Sequence, residues 1–93
     1  EAGTRARVAA ILAERERLTR ALARMPGARL SSSQTNFLYL RPERPAAKLF
    51  EALLSRGILL RRVAGTRAEA LRVTVGRPEE NDRFLQAWKE VTS

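Results

Sequence analysis

The stretch that most limits the fold is "ALRVTVGRPEENDRFLQAW", residues 70–88, in which an apolar alternation changes across one glycine into a helix start. Within residues 71–75 every second side chain is apolar, and Arg72 and Thr74 lie between them. This period of two predicts a strand with one face against a core and the other face open. The strand needs neighbouring strands and a helical layer over its apolar side, so the chain is limited to a sheet with helices against it.

The remaining segments show either the helical spacing of three and four residues or the strand period of two. Apolar residues at three- and four-residue spacing predict three helices: Thr4–Met25, Pro45 to the residue before Gly57, and Pro78–Val91. Apolar runs bounded by turn residues predict three strands: Asn36–Arg41, Ile58–Val63 and residues 70–75. The serine-rich residues 29–35 and "AGTRAEA" are expected to be loops. The predicted fold class is α+β, a small, mainly antiparallel three-stranded sheet covered on one face by helices, in the order α-β-α-β-β-α.

The length and the ends of the chain suggest how this domain is organised. Ninety-three residues form one small domain, in which residues 1–25 are a long connecting helix and residues 28–93 form the layered core. The chain starts at Glu1 in a pattern that is already helical, so we expect it to be a piece of a longer protein. Whether such a piece arises by design or by proteolysis stays open.

The absence of histidine and cysteine limits the kinds of catalysis and metal binding open to this chain. It removes the usual base near neutral pH, the thiol nucleophile and the soft metal site, so the isolated chain is a poor candidate for an enzyme. The run Ser31 to Ser33 has no base beside it and is better explained as a loop. Tyr39 and Lys48 fit ordinary strand and helix surfaces, and the acids at 79, 80 and 82 fit a first helical turn better than a metal site.

The charge balance permits more than one class of partner. The net charge of +8 comes largely from arginines that are scattered over every segment, which favours a compositional bias over a nucleic-acid footprint. A free-standing basic RNA-binding module, or a protein-interaction module, remains the alternative. An RNA-binding sheet needs stacking aromatics beside its arginines, and only Phe37 and Tyr39 could serve. No apolar run reaches the roughly 18 residues of a membrane span and no signal segment is present, so a cytoplasmic location without a membrane partner is expected.

Arg72 is the side chain that invites a functional interpretation. It lies in mid-strand on the face opposite the apolar residues, where a permanently charged guanidinium meets either water or an anion. Its planar donors suit bidentate capture of a carboxylate or a phosphate.

Three stretches carry a family resemblance: "SSQTNFLYL", "LFEALLSRGILLRR" and "LRVTVGRPEENDRFLQAW". Together they resemble the C-terminal small domain of histidinol-phosphate aminotransferases, class II members of the fold-type I enzymes that depend on pyridoxal phosphate. The resemblance runs from about Arg7 to Val91, and it does not separate these enzymes from the related threonine-phosphate decarboxylases. It implies a transaminase of histidine biosynthesis that interconverts histidinol phosphate and 2-oxoglutarate with imidazole-acetol phosphate and glutamate.

The resemblance also implies roles for individual residues. Arg72 corresponds to the arginine that binds the substrate's anionic end, either the phosphate of histidinol phosphate or a carboxylate of glutamate. Arg61, after the G-I turn, and Asn36, before the strand phenylalanine, correspond to recurrent family positions, for which substrate binding and a structural role are both open. No stretch matches the cofactor lysine or the other pyridoxal phosphate ligands of the large domain. The chain alone is therefore expected to bind no cofactor and to be inactive, with the large domain of the same polypeptide as its partner, a homodimer as the complete enzyme, and no nucleic acid.

Two positions depart from the family pattern. Arg77 stands before Pro78 where a threonine usually caps the helix, so the side-chain cap and its capping box are expected to be lost, at about 1 kcal/mol. Arg62 stands where an acid often follows the G-I arginine, which removes the expected local ion-pair partner of Arg61.

Overall fold

The computed structural model describes residues 2–34, 36–63 and 69–93 and confirms the α+β class. Within these ranges there are three helices and four strands. In chain order they are α1 (Ala2–Ala23), β1 (Leu30–Gln34), β2 (Phe37–Leu40), α2 (Ala46–Ser55), β3 (Leu60–Val63), β4 (Ala70–Thr74) and α3 (Pro78–Thr92). The loop predicted between the last two strands lies, over residues 64–68, outside the described residues.

The prediction of three strands was wrong, because the serine-rich segment expected to be a loop forms β1. The four strands are ordered β1-β2-β4-β3 and every neighbouring pair is antiparallel. β1 pairs with β2 from Leu30 opposite Leu40 to Gln34 opposite Phe37, with a bulge near Ser31. Serine has a poor preference for strands, but a hairpin partner supplies backbone hydrogen bonds that do not depend on the side chains, and an edge strand tolerates polar residues.

The other predicted boundaries agree with the structure to within two residues. Gly57 has a φ of +80°, and the Ile58 N–H donates to the Leu53 carbonyl at 3.0 Å, so Ile58 belongs to the end of α2 rather than to a strand. β3 therefore begins at Leu60, two residues later than predicted. α1 ends at Ala23 rather than at Met25 and is followed by Gly27, with a φ of +84°.

The core lies between one face of the sheet and the helices. The alternation predicted for β4 is confirmed, since Leu71, Val73 and Val75 are buried. They pack in one cluster with residues of β2 and of all three helices: Leu38, Leu40, Leu18, Leu22, Leu49, Leu53, Phe84, Ala87 and Trp88. Full burial of one large apolar side chain contributes about 1.5 to 3 kcal/mol, so this layer fixes which face of the sheet is covered.

The N-terminal half of α1 extends beyond the core. Residues 3–10 are all exposed, and Val8 and Leu12 retain 42% and 36% of their accessible surface. The first residues of the helix to be fully buried are Leu18 and Leu22. None of the helices in the described ranges combines the length and apolar character of a membrane span.

Candidate anion-binding site on the open sheet face

The sheet face turned away from the core carries two arginines and two aromatic residues. We call it the open face and define it by Phe37, Tyr39, Arg61, Arg72 and Thr74. The strand register places Tyr39 on β2, Arg72 on β4 and Arg61 on β3 in one row across the sheet. Arg72 is therefore at the centre of this row, with a neighbour on each side.

The guanidinium of Arg72 has an aromatic contact and an unused donor. Its Cζ lies 4.5 Å from the centroid of the Phe37 ring, which is the geometry of a cation–π contact. Its Nε is buried and has no hydrogen-bond partner among the described residues. A buried donor without a partner costs about 1 to 3 kcal/mol. Phe37 thus orients a guanidinium whose hydrogen-bonding capacity is not used by the described part of the chain.

Arg61 faces Arg72 directly across the β3–β4 pair and is exposed. Like charges at directly opposite positions of a sheet destabilise it. No acidic side chain of the described residues pairs with either arginine. The structure therefore brings together two of the three predicted site residues, in an arrangement that an anion between them would stabilise.

Asn36, the third predicted site residue, lies apart from this row. It stands in the turn before β2, and its carbonyl accepts a hydrogen bond of 2.8 Å from the N–H of Val75. It is three positions along the strand from Tyr39, which corresponds to about 10 Å. A substrate-binding role for Asn36 stays a prediction, because the bond that the structure shows is made by its backbone.

Arg62, one of the two departures from the family pattern, forms an ion pair with Glu69. Its guanidinium donates to both carboxylate oxygens of Glu69, at 2.7 and 2.8 Å. This bond raises the pKa of Arg62 and lowers that of Glu69. Glu69 is therefore engaged by Arg62, and within the described part of the chain no ion pair joins Glu69 to Arg61.

At Arg77, the other departure, the expected loss of the whole capping box was wrong. The side-chain cap is missing, as a guanidinium has no acceptor for a backbone N–H. However, the Arg77 N–H still donates to Glu80 Oε1 at 2.9 Å, which is the reciprocal half of the box. Half of the capping arrangement survives because it depends on Glu80 and not on the residue at the cap.

Sequence reasoning missed a hydrogen-bonded group beneath the turn that follows β4. Asn81 is buried, at 3% exposure, and binds both Gly76 and Glu14 of α1. The only signal for it in the sequence was an asparagine at the end of "PEEN", in the first turn of a helix, where polar side chains often serve the local backbone. Its partner in α1 could not be identified from spacing.

The described residues do not fit a resident pyridoxal phosphate. The cofactor requires a lysine close to the bound substrate. Lys48 and Lys89 are both exposed on helices that cover the opposite side of the sheet from Arg72. Within the described ranges there is also no group of three side chains suited to a metal ion. The chemistry that these residues offer is anion binding.

The RNA-binding alternative requires aromatic residues beside the arginines. Both aromatic residues lie on the open face, but the ring of Phe37 is already in contact with Arg72. Phe37 and Tyr39 share the open face with both arginines. Base stacking requires a free aromatic face, and the Arg72 guanidinium covers the ring of Phe37. This contact does not favour the RNA-binding alternative.

Curated relatives match most of the chain but only a part of their own length. The histidinol-phosphate aminotransferase 1 of Archaeoglobus fulgidus is 48% identical over 86 residues, which are 90% of this chain and 26% of that protein. The histidinol-phosphate aminotransferase of Aquifex aeolicus is 38% identical over 82 residues, covering 86% of this chain and 23% of that protein. The chain thus spans about a quarter of the length of these relatives.

Solved structures share the fold. A protein of Burkholderia pseudomallei, provisionally assigned as an aminotransferase, superposes with a TM-score of 0.75 at 32% identity, covering 91% of this chain and 26% of its own. A decarboxylase of Sulfurospirillum multivorans gives a TM-score of 0.76 at 29% identity, covering 86% of this chain and 24% of its own. Residues 2–87 match the family model of class I and II aminotransferases. The chain therefore belongs to the class I and II aminotransferase family.

Proposed function

We propose that this chain is the C-terminal small domain of a longer, pyridoxal phosphate-dependent histidinol-phosphate aminotransferase. The longer protein would interconvert histidinol phosphate and 2-oxoglutarate with imidazole-acetol phosphate and glutamate, in the cytoplasm and as a homodimer. Support comes from relatives of that name at 38 to 48% identity over most of this chain. In this proposal residues 1–25 connect to the large domain, and residues 28–93 form the domain that binds the substrate's anionic end.

The observation that carries the proposal is the row in which Arg61 and Arg72 face each other. A phosphate has enough oxygens to accept from two guanidiniums at once, and a carboxylate can accept a bidentate pair from one. Both substrates, histidinol phosphate and glutamate, end in such a group. Arg72 is the primary ligand in this proposal because it is the more buried of the two, and Arg61 contributes from the exposed edge.

Arg72 acts by positioning the substrate. Holding the phosphate at one end fixes where the amino group lies at the other, which turns an encounter into an oriented, intramolecular-like reaction. Pyridoxal phosphate, held by the large domain, supplies the electron sink for the transfer of the amino group. We propose Asn36, in the turn before β2, as a further substrate-binding residue.

The test uses the longer protein and compares two substrates. Arg72→Gln should lower kcat/KM for histidinol phosphate by about 30-fold or more, because a buried charge-assisted contact is lost. The same substitution should change the turnover of unphosphorylated histidinol little. Arg61→Gln should cost about fivefold or less, as expected for an exposed charge. Arg77→Gln is the matched control, since that exposed side chain makes no cap bond.

Equal losses for both substrates, or no loss with histidinol phosphate, would contradict the proposal. Offering threonine phosphate in parallel separates the two activities that the resemblance leaves open. Release of carbon dioxide from that substrate, without transamination of histidinol phosphate, would assign the longer protein as a decarboxylase.

A further inference from the structure

The turn that ends β4 is bound to α1 through the side chain of Asn81. Its Oδ1 accepts from the Gly76 N–H at 2.9 Å, and its Nδ2 donates to the Gly76 carbonyl at 2.9 Å and to Glu14 Oε1 at 3.0 Å. The amide oxygen and both amide hydrogens are therefore used. We call Glu14, Arg17, Gly76 and Asn81 the latch.

Arg17 fixes the carboxylate of Glu14 from the other side. Its Nη2 and Nε donate to the two Glu14 oxygens at 2.7 and 3.0 Å. A third contact, of 2.8 Å from Nη1, reaches Asp82 of α3. A bidentate pair of this kind restricts direction as well as distance, so the acceptor for Asn81 is held in place.

The latch lies where α1 leaves the core and where the chain leaves β4. In α1 it stands between the exposed residues 3–10 and the buried Leu18 and Leu22, where the helix leaves the core. It also holds Gly76, two residues beyond the end of β4 and four residues after Arg72. β4 itself is paired on both sides. A central strand is hydrogen-bonded to both of its neighbours and moves with them. Fixing the turn therefore fixes the position of Arg72 relative to α1.

We propose that Asn81 and Glu14 are positioning residues for the anion-binding arginine. They set where the Arg72 guanidinium lies relative to the free half of α1, and so relative to the part of the longer protein that this helix leads to. The inference rests on the proposed function, because it requires Arg72 to bind the substrate's anionic end. Productive geometry in such sites is held to about 0.5 Å, so a loosened turn lowers affinity even though Arg72 itself is unchanged.

A latch that served stability alone would behave differently. Its loss would lower the unfolding midpoint but leave the affinity of the folded protein for an anion unchanged. The two roles are therefore separated by measuring binding and turnover well below the unfolding midpoint of the least stable variant.

The experiment uses the longer protein with inorganic phosphate as the probe in calorimetric titration. Asn81→Ala and Glu14→Ala should each weaken phosphate binding by about two- to thirtyfold, the range of energetic coupling through packed networks. KM for histidinol phosphate should rise with kcat changed less. Glu14→Gln keeps an oxygen for Asn81 and should recover most of the affinity. Glu16→Ala, on the exposed face of the same helix, is the matched control and should match the wild type.

A double-mutant cycle assigns the effect to Arg72. With Arg72→Gln already present, Asn81→Ala should cause no further loss of phosphate affinity, whereas independent effects would add. Wild-type affinity in both alanine variants, or full additivity with Arg72→Gln, would overturn the inference and leave the latch with a structural role. If Arg72→Gln itself leaves phosphate affinity unchanged, the proposed function fails instead. Should Asn81→Ala not fold, Glu14→Ala and Glu14→Gln decide the same question.

Discussion

Arg17 and Arg72 are both partly buried arginines, yet the protein uses them in opposite ways. Arg17 bonds to both oxygens of Glu14 and to Asp82, and the bond to Glu14 raises its pKa. Arg72 has an aromatic ring beside it and a buried Nε without a partner among the described residues. The comparison shows that the fold accounts for the donors of Arg17 but not for the Nε of Arg72 among the described residues.

The same contrast holds between the regions around them. In the latch, Arg17 of α1 pairs with Glu14 of the same helix and with Asp82 of α3, so its charge has opposite neighbours. On the open face, Arg61 and Arg72 oppose each other. Functional sites commonly retain such unfavourable arrangements, because the ligand and not the fold resolves them.

The largest expected difference is in local stability, between a variant without the Arg17 guanidinium and a variant without the Arg72 guanidinium. Arg17→Leu should lower the free energy of opening of the turn after β4 by about 1 to 3 kcal/mol, because Glu14 is left partly buried without its partner. Arg72→Leu should leave it unchanged or raise it slightly, since a repulsion is removed. Native-state hydrogen exchange of the Gly76 and Asn81 amides measures both. Equal losses in the two variants would break the comparison.

Acid should weaken the latch and not the open face. Hydrogen bonds from Arg17 and then Asn81 lower the pKa of Glu14 from 4.5 to about 2. A depressed carboxyl pKa gives stability that is fully present above the ordinary value and is lost as the pH falls toward the folded one. Urea unfolding midpoints of wild type and Glu14→Gln should therefore differ at about pH 6 and converge as the pH approaches 2. A constant difference over this range would show that the charge of Glu14 contributes nothing.

The smallest effect is expected from completing the helix cap beside the latch. Arg77→Thr supplies the missing acceptor at the start of α3 and should stabilise the protein by about 1 kcal/mol. KM for histidinol phosphate should stay the same, because the substitution leaves the open face untouched. Thermal unfolding and steady-state kinetics of the longer protein measure the two quantities. A changed KM would mean that the cap and the anion site are coupled.

Individual residues show which structural features could be predicted from the sequence and which could not. The alternation in residues 71–75 was enough to place Arg72 on the open face, since the side-chain direction in a strand follows from the backbone period. The helical stripes were enough to find α1, α2 and α3 to within two residues at either end. β1 was missed, because its strand character comes from pairing with β2 and not from its serines.

The sequence by itself determined the periods, the covered face of β4 and the exclusion of thiol and imidazole chemistry. These properties follow from residue identity and from backbone geometry within one segment. Only the tertiary structure decided that Arg61 lies opposite Arg72, that Arg72 lies over the ring of Phe37, and that Asn81 binds Glu14 from the far end of the chain. These contacts join segments far apart in sequence, and their partners are selected by packing of the whole core, which no local pattern records.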